Sequence, residues 1–113
     1  MARYMLILKG GGEAWASYTP EQVQGMMQKY TDWTQEIVNK GIFLAGDPLQ
    51  ETGRVVSMRD GAPVDGPYTE TKENIAGYYV IKADNYDQAV EVSKGCPALL
   101  HGGAVEVREV VEF

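Results

Sequence analysis

Two segments of this chain are apolar on both sides of an extended strand, and they limit the fold more than any other feature. In Tyr4-Met5-Leu6-Ile7-Leu8 successive side chains alternate faces, so Tyr4, Leu6 and Leu8 point one way and Met5 and Ile7 the other. Ile75 to Lys82 repeats the pattern, with Ile75, Tyr79 and Ile81 opposite Ala76, Tyr78 and Val80. Such strands lie inside a sheet, and both faces of that sheet need cover.

The cover on one side is readable. Thr19-Pro20-Glu21-Gln22 opens a helix: Thr19 and Gln22 form a capping box, and Pro20 suits the first helical position. Apolar residues then recur at Val23, Met26, Met27, Tyr30, Trp33, Ile37 and Val38, the spacing of one buried helix face, until Gly41 stops it. Trp33 and the two helix methionines are expected in the core. Asn85 caps a second helix carrying Ala89, Val90 and Val92, which Gly95-Cys96-Pro97 ends. Between the helices, Ile42 to Ala45 reads as a short strand closed by Gly46-Asp47-Pro48. Arg54 to Met58 and a segment ending near Val64 read as a hairpin around Asp60-Gly61. Ala104 to Phe113 reads as a last strand, and the stretch after Gly10-Gly11-Gly12 as a loop. The order is strand, helix, strand, hairpin, strand, helix, strand. Two helices cover one face of a four- or five-strand sheet. A second copy of the chain, sheet against sheet, is the economical cover for the other.

Composition narrows the class. At 113 residues one domain is expected. The 44% hydrophobic content is that of a globular chain. One Cys and one His exclude an internal disulfide and the usual structural zinc sets, and no cofactor is expected. The longest apolar run, Tyr4 to Leu8, is far short of a membrane span, so a cytoplasmic protein is expected. With 16 acidic and 10 basic residues the net charge is −6, and the bases are scattered, which disfavours nucleic acid and anionic membranes as partners. Gly10-Gly11-Gly12 lacks the Gly-Lys-Ser/Thr ending of a phosphate loop, and the capped helix begins only near Pro20.

Asp65-Gly66-Pro67-Tyr68-Thr69-Glu70-Thr71-Lys72-Glu73 resembles the DGPF signature of the YCII-related (YciI-like) proteins, with Tyr68 in place of the usual Phe. Trp15, Gly46-Asp47-Pro48, Gly77-Tyr78-Tyr79-Val80-Ile81, Cys96-Pro97, His101-Gly102 and Val105-Glu106-Val107-Arg108 extend the likeness over nearly the whole chain. The resemblance implies an α+β ferredoxin-like fold of the dimeric α/β-barrel group, an antiparallel sheet with two helices on one face, forming a homodimer. The wider group includes lyases, isomerases and a dechlorinating enzyme acting on ring compounds. Some DGPF proteins are encoded beside alternative sigma factors, which implies a signalling accessory with a sigma factor as partner. Members of the broader family carry a histidine in the first helix that acts with an aspartate; aligned on Gly41, Tyr30 stands at that position here.

The candidate residues each carry two readings. Asp65 is a turn former or a pocket carboxylate able to act as a base, and the roles can coexist. Asp47, at a strand end, starts a turn or faces a pocket. Tyr30 belongs to a core face, where a buried hydroxyl needs a partner, or serves as proton donor. His101, placed in a loop before the last strand, anchors that loop or exchanges protons near neutral pH. Trp15, Tyr68 and Met58 are candidates to contact an apolar or aromatic ligand. Cys96 reads as a buried filler, and Glu70, Lys72 and Glu73 as solvated ion pairs. Two function classes follow: a cofactor-independent enzyme acting on a small hydrophobic or aromatic acid, and a non-catalytic dimer that binds a ligand or a signalling protein.

Overall fold

The computed structural model describes residues 1–67 and 75–113. Strand β1 (Ala2–Gly10) is an inner strand of a four-stranded antiparallel sheet, flanked by β5 (Ile75–Ala83) and β6 (Gly103–Glu109), with β2 (Phe43–Pro48) on the far side of β5. β3 (Arg54–Arg59) and β4 (Ala62–Pro67) pair only with each other, in a separate hairpin. Its turn residues Asp60 and Gly61 take φ of 52° and 80°, the pair of positive values that a two-residue hairpin favours. Helix α1 (Gly12–Ser17) follows β1, α2 (Pro20–Asn39) leads to β2, and α3 (Tyr86–Ser93) with a 3-10 helix at Pro97–His101 joins β5 to β6. With the hairpin and α1 set aside, this is the ferredoxin-like α+β arrangement.

The termini of α2 follow the capping chemistry read from the sequence. Thr19 Oγ1 accepts from the Gln22 backbone at 3.2 Å, and Gln22 Oε1 accepts from the Thr19 backbone at 2.8 Å. Asn85 Oδ1 likewise accepts from the Gln88 backbone at the start of α3. The core lies between these helices and one sheet face. Tyr4, Leu6, Leu8, Ile81 and Ala83 meet Trp33 and Ile37 of α2, Ala89 of α3, and Cys96 and Ala98 of the last connection. The other sheet face carries Met5 opposite Val80 and Ile7 opposite Tyr78, all half-buried, edged by the Lys9–Glu106 ion pair at 3.3 Å. Among the described residues no helix lies over this second face, in a molecule measuring 49 × 44 × 18 Å.

Several local expectations are corrected, the first being the stretch after β1. The segment expected as a loop after Gly12 holds α1, whose Glu13-Ala14-Trp15-Ala16 favours a helix but is too short to show a period. β2 runs on through Asp47 and Pro48, which pair with Tyr78 and Gly77. Proline is tolerated there because β2 is an edge strand and need donate no ladder bond from that residue. The last strand ends at Glu109, beyond which Val110 N–H still donates to the Arg3 carbonyl at 2.8 Å. On α2, Met26 is buried but Met27 is 59% exposed, one helical step round from the core stripe. Leu6→Ala and Ile37→Ala are therefore expected to cost about 2–5 kcal/mol each in urea unfolding. Met27→Ala should stay within about 0.5 kcal/mol, and equal losses at all three positions would contradict this packing.

Candidate functional site

One stripe of α2 presents Met26, Tyr30, Trp33, Thr34 and Ile37 inward, and within it two hydroxyls need partners. Tyr30 Oη lies 2.8 Å from His101 Nε2. One turn further on, Thr34 Oγ1 lies 2.8 Å from Tyr79 Oη, on the helix-facing side of β5. Tyr79 is fixed by Trp33 (ring centroids 4.8 Å apart, planes at 75°) and by Phe43 at 6.2 Å. The first pair joins α2 to the connection before β6, the second joins α2 to β5.

His101, expected in a loop, instead ends the 3-10 helix that Pro97 starts, a tight turn too short to show a period, and is 6% exposed. Its Nδ1 lies 3.3 Å from the Gly11 carbonyl oxygen, across the β1–β6 end where Gly10 pairs with Gly103. Trp15 of α1 meets the imidazole edge-on at 5.2 Å and in turn contacts Tyr18 at 5.7 Å. Tyr30, Trp15 and Tyr18 are each half-buried, so the site is closed on the His101 side and partly open on theirs.

Burial raises the Tyr30 phenol well above its ordinary value, and its neighbours Cys96, Tyr79 and Tyr18 add to the effect. Tyr79 is raised as well, chiefly by burial, with the Thr34 hydrogen bond pulling the other way. Both phenols are therefore neutral hydrogen-bonding groups across the physiological range. Cys96 is 1% exposed, and burial raises its thiol, which fits the expected filler and not a nucleophile.

The other sequence candidates lie elsewhere. Asp47 accepts from Tyr78 Oη at 2.8 Å, and the carboxylate raises that phenol, first through the bond and then through its charge. Tyr78 shares the open sheet face with Ile7 and Val80, away from the helices. Asp65, read as a turn former, instead lies within β4 opposite Val56, because the strand runs on through Gly66 and Pro67. Arg54 holds it across the hairpin: Nε donates to Oδ1 at 3.2 Å and Nη2 to Oδ2. Met58 is 67% exposed on that hairpin. Tyr68, Glu70, Lys72 and Glu73 lie outside the described residues. Of the seven candidates, the described contacts join Tyr30, His101 and Trp15 in one cluster.

Gly11, Thr34 and Tyr79 were missed as members of this neighbourhood. Thr34 lies four residues after Tyr30, and Tyr79 shares its strand face with Ile81, so periodicity placed both toward the core. Nothing in that pattern marked them as partners. Among the described residues no three His, Cys, Asp or Glu side chains gather to hold a metal ion. No helix among them is long and apolar enough to cross a membrane.

A phenol that binds its proton more tightly in the folded state stabilises the fold below its ordinary value of about 10, and that stability is lost as pH rises further. Tyr30→Phe should lower stability by about 1 kcal/mol at neutral pH through the lost hydrogen bond. It should also soften the decline in urea midpoint between about pH 9 and 11 relative to the unsubstituted protein. An unchanged alkaline decline would contradict the burial of this hydroxyl.

A search of curated proteins found no match to this chain. The model of the YCII-related domain matches residues 2–113, which spans both strands that flank the histidine, the α2 stripe and the hairpin alike. The chain belongs to the YCII-related family.

Proposed function

We propose that the protein is a cytoplasmic homodimer and a cofactor-independent acid–base enzyme of lyase or isomerase type, acting on a small hydrophobic or aromatic acid. The observation that carries this reading is the half-buried Tyr30 hydroxyl set 2.8 Å from the buried imidazole of His101, beside the aromatic rings of Trp15 and Tyr18. A phenol against an imidazole is a nucleophile–base or proton-relay pair of the kind acid–base catalysis uses. A substrate C–H bond gives its proton to the Tyr30 oxygen while the Tyr30 proton passes to Nε2 of neutral His101. The electron pair left on carbon forms an enolate or expels a leaving group on the adjacent carbon. The imidazolium then returns its proton through Tyr30, to a different carbon in an isomerisation or to the leaving group in an elimination. Proton abstraction falls to Tyr30 in this reading because Asp65 is engaged by Arg54 and Asp47 by Tyr78.

The homodimer rests on the uncovered sheet face, where Met5, Ile7, Tyr78 and Val80 form an apolar centre with the Lys9–Glu106 pair at its side. Asp47 would then line the dimer interface. A second reading, a non-catalytic accessory that binds a sigma factor, is favoured by the hairpin. There Val55, Val56, Met58 and Val64 are 46%, 69%, 67% and 37% exposed. Isolated two-stranded hairpins are marginal in water, so a partner that packs on it would hold it.

Screening purified protein against ring-opening, isomerisation and dehydrohalogenation substrates should find turnover that Tyr30→Phe and His101→Asn each reduce by about 10²-fold or more. Turnover that survives both substitutions would remove these residues from the chemistry. Light scattering during gel filtration should give twice the chain mass, and Ile7→Lys should shift the protein towards monomer. A monomer at micromolar concentration in the unsubstituted protein would end the dimer proposal. Capture of a sigma factor that is lost with Val56→Asp but kept with Tyr30→Phe would select the accessory reading.

A further inference from the structure

Of the glycines at the end of β1, Gly11 lies against the ring of His101. We propose that Gly11 is the positioning residue of the site: its carbonyl holds His101 as the Nδ1–H tautomer, leaving Nε2 to accept from Tyr30. A carbonyl oxygen can only accept, so the nitrogen 3.3 Å from it carries the hydrogen. The remaining nitrogen of a neutral ring is then a lone pair, and the hydroxyl 2.8 Å away donates to it. The close approach depends on the absence of a side chain. Gly11 has φ of 82°, and a Cβ added there would lie 2.6 Å from His101 Nδ1 and 2.8 Å from Cε1. The ring has little room to retreat, because Trp15 meets it at 5.2 Å and Tyr30 holds its other nitrogen.

This arrangement sets the direction of the Tyr30 hydroxyl. With His101 neutral, the phenolic hydrogen is committed to Nε2, and the oxygen lone pairs face outward as a proton acceptor. Once Nε2 is protonated it becomes the donor, Tyr30 Oη accepts, and the phenolic hydrogen is free to point at a bound molecule. One proton on the imidazole thus converts Tyr30 from base to acid while both ring contacts persist. The use of that conversion in catalysis rests on the reading above; the tautomer itself does not.

The chain has a single histidine, so its imidazole nitrogens can be observed without ambiguity in uniformly 15N-labelled, substrate-free protein. Long-range proton–nitrogen correlation spectra at a pH where the ring is neutral should show a protonated Nδ1 and an unprotonated Nε2, the reverse of the preference of free histidine. Gly11→Ala should abolish that pattern. Gly12→Ala should retain it, since the nearest atom to a Cβ there is Glu51 Oε1 at 4.0 Å. Tyr30→Phe should also retain Nδ1–H, which keeps the proposal open to refutation even where Gly11→Ala fails to fold. An Nε2–H ring in the unsubstituted protein, an Nδ1–H ring persisting in Gly11→Ala, or a switch to Nε2–H in Tyr30→Phe would each overturn it. Failure of the catalytic reading would leave these spectra unchanged.

Discussion

Everything in this fold is arranged around β1. It bonds on one side to β5 and on the other to β6, and its side chains are apolar on both faces. The helix-facing set, Tyr4, Leu6 and Leu8, is sealed by α2 and α3. The opposite set, Met5 and Ile7, lies against Val80 and Tyr78, with no layer above it among the described residues. A two-layer α+β unit whose second sheet face is apolar is half of a larger packing problem. That condition links the fold to the dimer proposed for it.

The helix–sheet interface is not purely apolar, and its polar members are placed with economy. Tyr30 and Thr34 stand one turn apart on α2, and each finds a single partner, His101 in one case and Tyr79 in the other. No buried side-chain nitrogen or oxygen among the described residues lacks a hydrogen bond. An unpaired buried hydroxyl would cost about 1–3 kcal/mol, so the Thr34 pair ties α2 to β5 and the Tyr30 pair ties α2 to the 3-10 helix. The same burial that makes the pairing obligatory keeps both phenols protonated. Burial is thus the common cause of the pairing of Tyr30 and of its retained proton.

How far the sequence could be read followed the range of each interaction. Capping of α2 by Thr19 and Gln22, the Asp60-Gly61 turn and the two-faced strands depend on residues a few positions apart, and all were legible. The burial of Trp33 and Ile37 followed from helical spacing, whereas Met27, within the same stripe by type, turned outward by one helical step. The run of β2 through Pro48 depended on its being an edge strand, which is a property of the whole sheet. Tyr30 and His101 were each singled out, but separately. Their pairing joins residues 71 positions apart and Gly11 joins His101 over 90, distances at which no local pattern operates. Nor did the glycine run itself show that Gly11 lies against the His101 ring.

The sheet order has a consequence for how such a chain reaches its fold during synthesis. β1 is made first, but its bonding partners are β5 and β6, from the last third of the sequence. Until Ile75 onward has been made, an apolar strand with two open edges has no native neighbour. α2 can form locally in that interval, with its cap and its helical spacing, and can shield Leu6 and Leu8. Met5 and Ile7 gain no such shelter. Long-range strand pairing is slow because loop closure must precede the contacts that reward it. β1 is therefore the part of this chain that waits longest for its native neighbours.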